Sequence, residues 1–251
     1  MLSGHLERLE ELCRGGRVLV FTGAGISADS GIPTFRGAGG LWKKYDVEKV
    51  ASIGAFLRDP SHYWNFFREA RLPALTTVRP NAAHEAVAEM ERRGYLTAVV
   101  TQNIDGLHQA AGARDVFELH GNTTRFACIS CSYRCDLETI LELMEKAFPP
   151  TCPRCGAVMR PEVVLFGESL PSEALERSIE AARSSRLALC VGSSLVVHPA
   201  AMVPQYAEAV AIVNLERTPL DGVAEVVIRR RAAEVLPALV EALPPAPASE
   251  V

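Results

Sequence analysis

The sequence predicts an α/β fold: a parallel sheet with helices on both faces and a smaller insertion over one edge. Short apolar runs that end in Gly, Ser, Asn or Asp alternate with helical patterns. A glycine-rich turn directly follows the first run, and two Cys-x-x-Cys pairs interrupt the alternation further along.

The first element is an amphipathic, acid-rich helix over residues 1–12, with neither the basic start nor the apolar core of a signal peptide. Strands are predicted at residues 17–22, 96–101, 116–119, 162–166, 187–191, 209–215 and 223–228. Helices are predicted at 81–93, 172–184, 200–208 and 232–243. An unbroken apolar run such as 188–191 suits a strand buried on both faces. Residues 37–80, with short helical pieces, and 122–160, with the paired cysteines, read as insertions that together make the smaller domain. That leaves 1–36, 81–121 and 161–243 for the main domain, and 244–251 as a disordered tail.

At 251 residues, 48% hydrophobic and 22% charged, the chain has the make-up of an ordinary globular protein with a full core. A formal net charge of −4 gives no electrostatic reason to expect nucleic acid as a partner. No apolar run approaches the roughly 18 residues of a membrane span, so the expected setting is the cytoplasm, without a membrane partner.

Residues 18–21 run into a turn containing Gly23, Ala24, Gly25, Ser27 and Ala28, which matches G-x-G-x-x-A after a strand. Such a turn lets backbone approach a pyrophosphate at a helix N-terminus, although a plain tight turn satisfies the same pattern. A dehydrogenase would place an acidic strand end about 20 residues later. Residues 40–46 are no strand. The better candidates are Asn214, Leu215 and Glu216, with a second turn at Gly192, Ser193 and Ser194. A dinucleotide across several strand ends fits these positions, and hydride transfer is not specially indicated.

Cys128 and Cys131 are separated from Cys152 and Cys155 by a zinc-ribbon spacing. Four thiolates close a tetrahedral zinc, so such a site is structural. Seven cysteines, an odd count, favour metal over disulfides in a reducing compartment. Cys135 is a spare in the same loop, which leaves a swap with Cys131 open. Cys13 and Cys190 read as packed core thiols.

The run 96–100 ends in Thr101, Gln102, Asn103, Ile104 and Asp105, at the carboxyl end where open α/β sheets bind ligands. Asn and Asp are also turn formers, but Gln102 is not explained that way. His120 follows the run 116–119 and has the residue type suited to a base near neutrality. A structural or zinc-bound histidine is the alternative, and four cysteines already complete the metal site. His108 ranks second.

Taken together these segments resemble the sirtuin family. The motifs are GAGISADSGIPTFR (23–36), TQNID (101–105), LHGN (119–122), the four cysteines, VVLFGE (163–168), GSSL (192–195) and NLE (214–216), in family order. The resemblance implies a Rossmann-like NAD-binding domain with a helical and zinc-ribbon insertion domain. It also implies NAD-dependent removal of acetyl or other neutral acyl groups from protein lysines, giving nicotinamide and 2′-O-acyl-ADP-ribose. NAD would be consumed, and one zinc would be structural. Residues 23–42 would form the cofactor loop, ending at Trp42, with Phe35 and Arg36 guarding the nicotinamide ribose. Asn103, Ile104 and Asp105 would hold nicotinamide, and Gln102 would touch the ribose. Gly192, Ser193 and Ser194 would approach phosphates, Asn214, Leu215 and Glu216 the adenine ribose, and Ala232 the adenine. His120 would draw a proton from the ribose hydroxyls.

By the same resemblance, the acyl-lysine peptide would add as a strand between 163–167 and 195–197, touching Val164, Phe166, Gly167 and Val196. Family members that prefer acidic acyl groups carry Tyr-x-x-Arg in the acyl channel, where Arg grips a carboxylate. Phe67 and Ala70 take those positions here, and Arg68 and Arg71 on a helix would point elsewhere. Neutral acyl groups are therefore expected. Two other readings remain: an ADP-ribosyltransferase with a different acceptor, and a non-catalytic NAD-sensing module, which would need no base.

Overall fold

The computed structural model describes residues 2–34 and 40–245. Phe35 and Arg36, with most of the expected tail, lie outside the described residues. The strands are β1 (Val18–Thr22), β2 (Leu96–Thr101), β3 (Val116–Glu118), β4 (Gly121–Cys128), β5 (Arg134–Asp136), β6 (Met159–Val163), β7 (Leu187–Val191), β8 (Ala209–Val213) and β9 (Val226–Ile228). A six-stranded sheet has the order β3-β2-β1-β7-β8-β9, and a three-stranded one the order β5-β4-β6. The first is parallel throughout, the second antiparallel.

Every residue of β1 and β7 is buried, as their unbroken apolar sequences require. Side chains alternate between the two faces. Val18 and Val20 pack with the helices Leu2–Cys13, Ala82–Arg92 and Ala232–Ala242, whereas Leu19 and Phe21 pack against Ser172–Arg183 and the turn Ala200–Tyr206. The Ala82–Arg92 helix starts at a capping box: Asn81 accepts from Ala83 N, and the ring of His84 accepts from Asn81 N.

The chain winds outward from β1 to β2 and β3, then returns to β7 on the other side of β1. Connections on the two sides of β1 leave in opposite directions, so a crevice opens at the carboxyl ends of β1 and β7. This switch point positions the site.

A third core joins side chains from the stretches 37–80 and 122–160. Trp64, Phe67, Phe126, Ile140 and Met159 bury one another, and the Trp64 indole N–H donates to Met159 O at 3.0 Å. The small sheet runs to Val163, slightly beyond the boundary the cysteine-bearing stretch suggested.

Two expectations need correction. The strand expected at 162–166 lies at Met159–Val163 and belongs to the small sheet. The residues after it leave the sheet because Phe166 exchanges backbone bonds with Ala51 and Ile53 instead. The helix expected at 200–208 is a 3₁₀ segment, Ala200–Tyr206, containing Pro204, which has no amide to continue an α-helical ladder. Among the described residues no helix is long and apolar enough to cross a membrane.

Candidate active site

The two glycine turns at the switch point interlock. Gly25 N donates to Gly192 O at 2.8 Å, and Gly23 N donates to Val191 O at 3.1 Å. A Cβ on Gly25 would lie 2.7 Å from Gly192 Cα, and one on Gly192, whose φ is +62°, would lie 2.3 Å from Ile26 N. Backbone-to-backbone packing therefore excludes any side chain at either position. Two of the amides expected to face a phosphate are spent on this contact, and the segment after Gly23 is a 3₁₀ turn, Ala24–Ser30.

A cavity of about 550 Å³ opens over these turns. Its wall includes Gly23, Ala24, Gly25 and Ala28 from the first turn, and Gly192, Ser193 and Ser194 from the second. Gln102, Asn103, Ile104 and His120 come from β2 and the β3–β4 junction; Asn214, Leu215, Glu216 and Ala232 follow β8 and β9. Trp42, Val164, Phe166 and Gly167 are also on the wall. A crevice walled by backbone turns, with polar strand ends on both sides of the switch point, fits an extended dinucleotide.

His120 is held by its backbone and its ring. Its carbonyl accepts from Val164 N at 2.9 Å, and Leu119 N donates to Thr101 O. Its Nδ1 lies 3.0 Å from Gln102 O. A carbonyl only accepts, so Nδ1 carries the proton and Nε2 has the lone pair. Gln102 in turn donates its side-chain amide to Ser193 Oγ at 2.8 Å, bridging β2 to the second turn.

Ser27 and Asp105 stand just behind the wall rather than on it. Asp105 accepts from Leu107 N at 3.0 Å and from Ser27 Oγ at 2.8 Å. Asn103 donates to Gly23 O and to Ser27 Oγ, both at 3.1 Å. Burial raises the Asp105 pKa, while the Leu107 amide, the Ser27 hydroxyl and the Arg71 charge oppose that rise. Sequence reasoning gave His84 no role, yet its Nε2 lies 3.3 Å from Ser27 Oγ. The Asn81-x-x-His84 capping pattern was the available signal. His108 is buried against Thr22, 2.9 Å from its Oγ1, and serves the core rather than the cavity.

The acyl-channel expectation changes. Phe67 is fully buried between Trp64 and Phe126, and neither Phe67 nor Ala70 reaches the cavity. Tyr63, Phe66 and Arg71 do. Residues Phe67–Arg71 form a π-helical turn, which puts Phe66 and Arg71, five residues apart, on one face. Arg71 thus faces inward, its guanidinium 5.4 Å from the Phe66 ring centroid, whereas Arg68 is exposed over Phe148. Val196 is also off the wall, which its neighbour Val197 joins. An ion pair missed in the sequence, Arg231 to Asp29 at 2.5 Å, joins two residues of the wall beside Ala232.

Away from the cavity, the sulfurs of Cys128, Cys131, Cys152 and Cys155 lie within 4.8 Å of one another. Three of the separations are 3.5, 3.6 and 3.7 Å. Zinc–sulfur bonds of about 2.3 Å in a tetrahedron give edges of roughly 3.8 Å, so the cluster fits one structural zinc. Cys135 sits outside it on β5, which closes the ligand-swap question.

A sequence profile of the Sir2 family matches residues 23–199. The chain is 48% identical over 245 residues to an NAD-dependent protein deacylase of Thermococcus kodakarensis, covering 95% of this chain and 94% of the relative. It is 48% identical to an NAD-dependent protein deacetylase of Sulfurisphaera tokodaii, covering 89% of each. Among solved structures, a complex described as Sir2, p53 peptide and NAD+ superposes with a TM-score of 0.88 at 36% identity, covering 94% of this chain and 97% of that one. A Sir2 bound to acetylated peptide gives 0.87 at 35%, with the same coverage.

Proposed function

The chain belongs to the Sir2 family, and we propose that His120 is the base with which it removes acyl groups from protein lysines. It is an NAD-dependent protein deacylase, with NAD as consumed co-substrate and one structural zinc. The single observation that carries the assignment of the base is the Nδ1–H bond of His120 to Gln102 O, which leaves Nε2 as the acceptor at the cavity.

NAD supplies the sugar carbon that the acyl oxygen attacks, and nicotinamide as leaving group. The chain's own groups do the rest. Asn103 and Ile104, with Asp105 behind them, orient the nicotinamide amide. Gln102 and the two turns hold ribose and phosphates, and Asn214 to Glu216 with Ala232 hold the adenosine. His120 takes a proton from a ribose hydroxyl, activating it toward the acyl carbon. The peptide lies along Val164 to Gly167, where Phe166 is exposed. Tyr63, Phe66, Ile104 and Leu165 give the acyl group a largely apolar wall, and Arg71 beside them packs on Phe66 and interacts with Asp105, which supports acetyl and other neutral chains. The free thiols support a reducing, cytoplasmic setting, and neither a membrane nor nucleic acid is proposed as partner.

Incubation of the purified protein with NAD and an acetyl-lysine peptide, followed by mass spectrometry, tests this. Nicotinamide, free lysine and acetyl-ADP-ribose are expected in equal amounts. ADP-ribosylated protein with the acetyl group intact would instead establish a transferase to another acceptor.

A further inference from the structure

We infer that Arg160 and Glu168 form a clamp that fixes the peptide-facing segment 163–168, making both of them positioning residues for the acyl-lysine substrate; this rests on the deacylase reading above. Arg160 lies on β6 of the small sheet and Glu168 at the far end of the segment. Their contact is bidentate: Nη1 to Oε1 and Nη2 to Oε2, both 2.7 Å. Arg160 Nη2 also donates to Val163 O at 2.9 Å. Glu168 Oε2 accepts from Leu165 N at 2.8 Å, and Glu168 N donates to Leu165 O at 3.0 Å. One ion pair thus ties the beginning, middle and end of the segment together.

The segment needs such a tie because beyond Val163 it has left the small sheet. Its other backbone holds are Val164 N to His120 O at 2.9 Å, and the exchange of Phe166 with Ala51 and Ile53 at 2.8 and 3.0 Å. Gly167 turns it with φ of +92°. The pair is sheltered, its side chains 20% and 24% exposed, with the guanidinium near the Phe56 ring. It is therefore worth more than an open surface pair. Through Val164 the clamp also borders the backbone of His120. The small sheet that carries the cysteine cluster is in this way connected to the substrate wall by a charged group, not only by packing.

Steady-state kinetics of the full, zinc-loaded protein tests the clamp. In Arg160→Met and Glu168→Gln, the peptide KM rises about tenfold or more while the NAD KM stays within about twofold. Arg160→Lys, which keeps the charge but not the fork, falls between wild type and Arg160→Met. If Arg160→Met does not fold by circular dichroism, Glu168→Gln and Arg160→Lys carry the comparison. A peptide KM unchanged in Glu168→Gln and in Arg160→Lys overturns the clamp, as does an equal loss toward NAD and peptide. Should the wild type itself not deacylate, that defeats the deacylase reading. Anisotropy with a labelled acetyl-lysine peptide would then read the clamp directly, with unchanged affinity in the variants again overturning it.

Discussion

Ser27 donates its hydroxyl proton to Asp105 Oδ2 at 2.8 Å, and the direction of that bond is forced by its neighbours. Ser27 Oγ accepts from Asn103 Nδ2 at 3.1 Å. The Nδ1 of His84 is spent accepting from Asn81 N, so its Nε2 carries the proton toward Ser27. The chain from Asn81 through His84 and Ser27 to Asp105 therefore runs donor to acceptor toward one carboxylate. It ties the start of the Ala82–Arg92 helix to the cavity wall at Asn103.

Removing the Ser27 hydroxyl should move the acid limb of activity. Burial already raises the Asp105 pKa, against the Leu107 amide, Ser27 and Arg71. The ionised form accepts an amide N–H, so activity falls as pH drops through the folded pKa. Ser27→Ala removes one opposing bond and shifts the acid limb of kcat/KM to higher pH. An acid limb that stays in place would show that Asp105 does not set it.

His120→Gln should lower kcat by about 10²-fold or more, the usual contribution of a positioned base. NAD binding by calorimetry and the melting temperature should stay near wild type, because glutamine keeps a side-chain amide that can donate toward Gln102 O at the cavity edge. Full turnover in this variant would remove His120 as the base.

Much of this was legible in the sequence because strand-end chemistry is local. The unbroken apolar runs of β1 and β7, the two glycine turns and the cysteine spacing each fix their own neighbourhood. What failed depended on phase or on distant contacts. The π turn at Phe67–Arg71 inverts which residues of its helix face the cavity, and nothing in residues 61–77 shows an inserted residue in the ladder. Residues 162–166 are as apolar as a strand, yet β6 ends at Val163. The end of that run, Phe166, is taken by Ala51 and Ile53, more than 100 positions away, and that pairing has no local signature. His84 looked like any helix histidine until Ser27 stood beside it.

Zinc removal should loosen the small sheet first. The four cysteines join the β4 end to the 152–155 knuckle, and Cys128 and Cys152 belong to the core shared with Trp64 and Phe126. Cys152→Ser, or treatment with a strong chelator, should lower the melting temperature by several degrees and expose amides of β4 and β6 to hydrogen exchange, with β1 and β7 still protected. Loss of one zinc equivalent without either change would make the metal dispensable for the fold.

Buried neutral histidines should make stability fall on mild acidification. Burial depresses His84 to about 4 and His108 to about 3, the latter also through the His84 charge. The unfolded chain takes up these protons near the ordinary pKa of about 6.5, while the folded chain does not, so stability is lost as pH drops below that value. Each group costs about 2 kcal/mol by pH 5. Urea titrations between pH 7 and pH 5 measure the slope, and a His108→Gln variant should flatten it. A parallel slope in that variant would mean that other groups dominate.

Acyl choice turns on what the inward-facing charge of Arg71 does. Its guanidinium packs on Phe66 and interacts with the negative charge of Asp105, and burial lowers its pKa. A second carboxylate in the same low-dielectric space would compete with Asp105 for that charge, so wild type should favour acetyl-lysine over succinyl-lysine by at least about tenfold in kcat/KM. In Arg71→Met, Asp105 loses a favourable charge and turnover of the acetyl peptide should drop. The opposite pattern, with acetyl turnover intact and succinyl turnover selectively lost, would make Arg71 a reader of acidic acyl chains and overturn the neutral preference.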